Sequence, residues 1–340
     1  MNEVEIMSVK CKNRIKKFMI IFLTVIVVNL VIILPFVTVL IYEGIFSMRY
    51  ETDDNLRFSL EDYDGLQCQR NDFLSEEVNL AGYMYFKENM QAKGVLVLAH
   101  GLGGGGHNSY MPFIDYFTSN GYYVFAYDAT GNDNSGGKDV EGFPQGIIDL
   151  NSAICHVETI EEYKELPAFL LGHSWGGYSV GNVLCMHPEI KGAVIIAGFN
   201  ESENLLQYHS EKIVGDTFID FLMLYVKAYE EIKFGKEYTD ISAIQGMETT
   251  NANILIAHSK DDTSVPTKYG YDSFYEKFGD SERFSYVLYE DKGHSDLYYS
   301  NEAIEYREKM GEHICTEKQK CYELDEMLME AILEMFEKSL

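Results

Sequence analysis

Residues 172–176 read Gly-His-Ser-Trp-Gly and follow directly on an apolar run, Ala-Phe-Leu-Leu at 168–171. A serine framed by two glycines at the end of a buried strand, with a helix starting behind it, requires a sharp strand-to-helix turn. Such a turn holds the serine in a strained backbone conformation, and the glycines let neighbouring backbone approach with no Cβ in the way. The hydroxyl then stands at the mouth of a sheet and at a helix N-terminus, where developing negative charge is favoured. Ser174 is therefore a candidate nucleophile. Short glycine motifs recur by chance, so the assignment stands on further segments that agree with it in order along the chain.

Acyl transfer through serine needs a base beside the hydroxyl, an acid that orients the base, and donors for the oxyanion. Residues 253–266, Asn-Ile-Leu-Ile-Ala-His-Ser-Lys-Asp-Asp-Thr-Ser-Val-Pro, read as a strand followed by a turn bearing Asp262. A last strand at 284–288 leads into Tyr-Glu-Asp-Lys-Gly-His, ending at His294. Asp262 is the expected acid and His294 the expected base. Asp261 competes with Asp262, and the spacing to Val265-Pro266 favours Asp262. Glu201, after the preceding strand, is a weaker candidate. His313 lies in a charged helical region, His187 ends a helix, and His258 precedes the acid turn in a packing or loop-bonding position. The glycine run His100–Gly106 follows a strand at 95–99, so its backbone can curl round an oxygen. The N–H groups of Leu102 and Trp175 are the expected oxyanion donors. A nucleotide phosphate loop does not fit this run, because neither G-x-x-x-x-G-K-[ST] nor a G-x-G-x-x-G with its ribose acid is present. A further loop, from Tyr127-Asp128 to Gly137, places Asp128 and Ser135 as bracing hydrogen-bonders, with Asp133 where a second glycine is usual.

Between these motifs, apolar runs alternate with amphipathic stretches. Strands are expected at 79–87, 95–99, 122–127, 168–171, 193–197, 253–257 and 284–288. Helices are expected at 111–119, 146–163, 177–186 and 268–278. This alternation implies an α/β fold with a mostly parallel central sheet and helices on both faces. Residues 199–250 break the rhythm. They are rich in aromatics, and 216–229 has helical spacing, so a helical cap insertion over the strand ends is expected.

The N-terminus stands apart. Residues 18–42 hold no charge over 25 positions. About 20 apolar residues cross a bilayer, whereas a cleaved secretory signal has an apolar stretch of about 7–15 and a small-residue cleavage site. The reading is an uncleaved transmembrane anchor. Five basic residues precede it and acids follow it, so residues 1–17 are expected in the cytoplasm and the folded domain outside, on a single-pass cell-membrane protein. Residues 43–60 read as a polar stalk, and residues 61–340 as the domain. Residues 1–42 carry a balance of +3 within a total of −27, leaving −30 on the rest. That surface argues against nucleic acid as a partner. The six cysteines show no metal spacing; Cys155 and Cys185 are expected in the core, Cys315 and Cys321 are close enough to pair in an oxidising space, and Cys11 lies beside the span.

With these motifs in place, residues 61–300 resemble the α/β-hydrolase superfamily, nearest to its serine aminopeptidase / monoacylglycerol lipase-like group. The resemblance implies Ser174 as nucleophile, Asp262 as acid, His294 as base, and no metal or organic cofactor. It implies a serine hydrolase cleaving carboxylic esters, lipid-like or small acyl, with a peptidase or amidase of the same fold, or a catalytically silent binding protein, as alternatives.

Overall fold

The computed structural model describes residues 3–214, 216–311 and 315–340. Ten strands form: β1 Leu66–Arg70, β2 Phe73–Ser75, β3 Val78–Leu80, β4 Gly82–Lys87, β5 Gly94–Ala99, β6 Tyr122–Tyr127, β7 Ala168–His173, β8 Gly192–Ile196, β9 Asn253–Ser259 and β10 Phe284–Tyr289. Eight of them make one sheet in the order β1-β4-β6-β5-β7-β8-β9-β10. The β1–β4 and β4–β6 pairs are antiparallel and the rest are parallel. β5 and β8 are buried along their whole length, as strands covered on both faces must be.

The helices are α1 Glu3–Val28, α2 Leu34–Phe46, α3 Met111–Ser119, α4 Phe143–Thr159, α5 Trp175–Val183, α6 Ser202–Val214, α7 Asp216–Phe234, α8 Lys236–Thr239, α9 Ala243–Thr249, α10 Tyr271–Phe278, α11 Asn301–Met310, α12 Lys318–Cys321 and α13 Glu326–Lys338. One face of the sheet is covered by α4, α5, α9 and α10 through residues such as Ile147, Val180, Ala243 and Phe274. The other is covered by α3 and α13 through Phe113, Phe117, Ile332 and Phe336. β1 and β2 lie outside the strands expected from sequence. The expected strand 79–87 is broken at Ala81, where Gly82 comes so close to Asn71 that a Cβ would lie 2.3 Å from its carbonyl oxygen.

The apolar N-terminal segment is helical. α1 runs through a π-helical turn, Asn29–Ile33, into α2, and Lys12–Phe46 is apolar and long enough to cross a membrane. Residues 43–60 correct the expectation of a stalk. Their first four complete α2, whose Phe46 is buried, and the rest is pinned along the domain: Tyr50 bridges to Asn132, Thr52 and Phe58 are buried, and the Phe58 N–H donates to Asn108 Oδ1 at 2.6 Å. Arg49, although exposed, is tied to the domain: it donates to the carbonyls of Asp133, Ser135 and Gly137. The 199–250 insertion is helical (α6 to α9), and α7 packs against α2 in a small apolar cluster of its own. Cys315 and Cys321 form a disulfide, whereas Cys155 is exposed, not core, since α4 turns Ala153, Ile154 and Val157 inward and leaves position 155 to solvent. The Cys11 side chain and His313 lie outside what is described.

Candidate active site

β7 delivers the chain into the turn. Ser174 has φ 56° and ψ −115°, a region that side-chain-bearing residues rarely adopt. The turn closes only with glycine on both sides. A Cβ at Gly172 would sit 2.2 Å from the Gly176 carbonyl oxygen, and one at Gly176 would sit 2.0 Å from that of Ala99. The Ser174 N–H donates to Ile196 O at 2.8 Å, tying the turn to β8.

The structure brings Ser174, His294 and Asp262 together from three loops at the carboxyl ends of the parallel strands. His294 Nε2 is 2.8 Å from Ser174 Oγ, and His294 Nδ1 is 2.7 Å from Asp262 Oδ2. Asp262 is buried. Its Oδ1 accepts from the backbone N–H groups of Ser264 and Val265 at 2.9 and 2.8 Å. Burial pushes its carboxyl up, but hydrogen bonds from His258 and His294 outweigh that and hold it well below the usual carboxylate range. With Asp262 ionised, Nδ1 carries the proton and Nε2 faces the serine as acceptor.

The competing residues fall into other places. Asp261 Oδ1 accepts from the Ser259 hydroxyl at 2.6 Å and the Gly293 N–H at 2.8 Å, so it anchors the loop that carries His294. His258 donates from Nε2 to Val265 O at 2.8 Å and lies 3.3 Å from Asp262 Oδ2, bracing the acid turn. His187 bonds Asn151 and Glu189, and Glu201 bonds Asn204 at the start of α6.

Two residues escaped sequence reasoning. His173, beside the serine, is fully buried. Its Nε2–H donates to His294 O at 3.0 Å, and its Nδ1 accepts from the Tyr110 hydroxyl at 2.9 Å. That hydroxyl accepts from the Gly101 N–H at 3.0 Å. One chain of hydrogen bonds therefore links the glycine loop, the serine turn and the base loop. Burial, then the neighbouring His294, pushes His173 down to about 3, so it stays neutral. A histidine inside a buried strand end must find partners, and that was the available signal. The second is Asp133. It accepts from the Thr52 N–H at 2.7 Å and the Gly106 N–H at 3.1 Å, stitching the segment after α2 to the glycine loop. Gly105, at φ 83°, lies so close that a Cβ would be 2.2 Å from Thr52 N. Asp128 and Ser135 brace their loop: Asp128 Oδ1 accepts from the N–H and Nδ1 of His107 at 3.0 and 2.7 Å, and Ser135 bonds Asp128 O.

Leu102 sits beside Ser174 on a cavity of about 580 Å³, whose wall includes His294, Tyr298, Arg307 and Asp53. Among the described residues, the backbone N–H groups of Leu102 and Trp175 donate to no other protein group. None of the residues lining this cavity comes from the 199–250 insertion; its walls include the segment after α2 and residues 295–322, while the insertion reaches the acid turn through His209, which bonds Ser264 O at 2.8 Å.

An open, mostly parallel sheet with the serine turn after its central strand β7 decides the architecture. The chain has the α/β-hydrolase fold. Residues 90–227 of this chain match the family described as serine aminopeptidase, S33. No curated protein matches the sequence. Solved structures share the fold at low identity. The Pyrococcus furiosus esterase Pf2001 is 14% identical with a TM-score of 0.57, covering 86% of this chain and 96% of its own. Est1E from Butyrivibrio proteoclasticus, solved with ferulic acid bound, is 14% identical with a TM-score of 0.54 over 79% and 98%. The Pyrococcus horikoshii acylaminoacyl peptidase is 18% identical with a TM-score of 0.51 over 68% of this chain and 38% of that one. Fold and family match together support a serine hydrolase.

Proposed function

We propose that this α/β hydrolase is a membrane-anchored carboxylester hydrolase acting on lipid-like or small acyl esters through Ser174, His294 and Asp262. The observation that carries the reading is the continuous hydrogen-bonded line from Asp262 through His294 to the Ser174 hydroxyl. His294 Nε2 takes the Ser174 proton as Oγ attacks the acyl carbon. The oxyanion is held by the Leu102 and Trp175 N–H groups, and the same histidine protonates the leaving alcohol. Water, deprotonated by His294, then clears the acyl-enzyme. The anchor places the N-terminus in the cytoplasm and the catalytic domain on the far side of the cell membrane. A peptidase or amidase is the second reading, favoured by the carboxylate of Asp53 at the cavity, which suits a substrate amine, whereas Asp296 is paired with Arg307.

The test is turnover of p-nitrophenyl esters of graded acyl length beside aminoacyl-anilides. Hydrolysis of esters is expected, and activity confined to anilides would replace the first reading with the second. A fluorophosphonate probe is expected to label the wild type and not Ser174→Ala; failure to label the wild type would remove the enzymatic reading altogether.

A further inference from the structure

Helix α7 carries apolar residues on two sides. One side buries Ile219, Met223 and Val226 beside Tyr42 of α2. The other presents Leu224, Ala228 and Ile232, four residues apart and therefore on one ridge; Leu224 is 63% exposed and Ile232 is 83% exposed. The charged residues around this ridge are engaged elsewhere. Lys233 pairs with Glu43 at 2.7 Å, Lys227 with Asp240 at 3.5 Å, and Glu231 with Lys236 at 3.4 Å. Glu230 accepts from the Tyr42 hydroxyl at 2.7 Å.

Between the two sides, the Tyr225 hydroxyl donates to the carbonyl of Leu30 at 2.7 Å. Leu30 is the middle residue of the uncharged stretch 18–42. About 20 residues span the hydrocarbon core, so residue 30 lies inside that core wherever the bilayer sits along the stretch. At about 1.5 Å per residue, it is roughly 10 Å or more below the outer edge. A tyrosine side chain cannot bridge that depth from a helix standing clear of the lipid. An interfacial helix, by contrast, lies about 5–10 Å into the boundary with an apolar ridge downward.

We propose that α7 is a second membrane contact, lying in the outer lipid interface beside the anchor with Leu224, Ala228 and Ile232 turned to acyl chains. The partner is the bilayer itself. The proposal rests on residues 18–42 spanning that bilayer. It gives the helical insertion a role that covering the cavity does not: it fixes how the domain sits on the membrane.

The experiment uses the full chain in phosphatidylcholine nanodiscs, with plain or acyl-brominated lipid, and four separate variants: Leu224→Trp, Ile232→Trp, Ile26→Trp on the anchor, and Tyr275→Trp at an exposed position of α10. Native Trp175 is buried and common to all. Fluorophosphonate labelling certifies that each is folded. The added fluorescence at 224 and 232 is expected to fall at least twofold in brominated lipid, as at 26, while that at 275 is unchanged. If 26 is quenched and both α7 probes behave like 275, the interfacial helix is overturned and the anchor stands. If 26 is not quenched either, the span fails, and this proposal falls with it.

Discussion

At the scale of single residues, the working geometry depends on who holds His294. Asp262 holds it by the side chain and His173 by the backbone, so the two should fail differently. Asp262→Asn keeps the shape but reverses the imidazole tautomer, and a loss of about 10⁴ in kcat with little change in KM is expected in ester turnover. The depressed carboxyl has a matching signature. Its contribution to stability is fully present above the unfolded aspartate value of about 3.9 and is lost as pH falls through the lower folded value. Acid loss of activity between pH 7 and 5 therefore does not come from Asp262. His173 has the opposite signature: buried neutral, it titrates at about 3 when folded, against about 6.5 unfolded. Below about pH 6.5 the unfolded chain takes up the extra proton, so stability falls toward pH 3 by up to about 1.4 kcal/mol per pH unit. His173→Asn is expected to flatten that slope in thermal unfolding series while lowering stability at pH 8 by about 1–3 kcal/mol, through the severed bonds to Tyr110 and His294. An unchanged acid slope would remove His173 from this role. Ser174, Asp262 and His294 were legible because their chemistry fixes both residue type and chain order. His173 occupies the variable position of the motif, where nothing in the pattern constrains it.

At the scale of elements, the segment from Ser47 to Phe58 was the least legible. Its polar composition suggests solvent, yet the groups that matter are main-chain carbonyls and N–H groups, which composition does not report. Arg49 caps three carbonyls of the Asp128–Gly137 loop, and Thr52 meets Asp133 beside Gly106. The glycine loop that carries Leu102 is thus fixed by the stretch that follows α2. Asp133→Gly restores the residue usual at that point of the loop and removes the link. Loss of such a buried charged acceptor costs about 1–3 kcal/mol. We expect kcat for a soluble ester to fall about tenfold or more while KM changes little, since that loop carries Leu102, the proposed oxyanion donor. In parallel, a chain beginning at residue 61 should lose far more activity than one beginning at residue 47. Equal activities would show that the segment is only a tether. The 199–250 insertion was legible as helical from its length and spacing. Its placement was not, because it depends on α2, a helix whose apolar character alone reads as lipid-facing.

At the scale of the whole molecule, charge and redox chemistry bear on one part of the proposal, the side of the membrane on which the domain would lie. Basic residues cluster before the apolar stretch 18–42, and the −30 beyond it lies on the domain side. The Cys315–Cys321 disulfide is independent of that pattern and belongs to an oxidising space. It also reaches the cavity, because Cys321 O accepts from Arg307, whose guanidinium lies over Tyr299 and Tyr322 in the cavity wall. A bridge closing so short a loop contributes about 2 kcal/mol in the chain-entropy account. In a domain of this size that corresponds to roughly 3–4 °C in unfolding midpoint. With sealed cells, an impermeant maleimide is expected to label Cys315 and Cys321 only after an impermeant reductant has been applied outside. The same reduction should lower the unfolding midpoint by that amount and weaken ester turnover as Arg307 loses its hold. If both thiols become reactive only after the cells are opened, without any reductant, the domain lies in the cytoplasm and the proposed orientation is inverted.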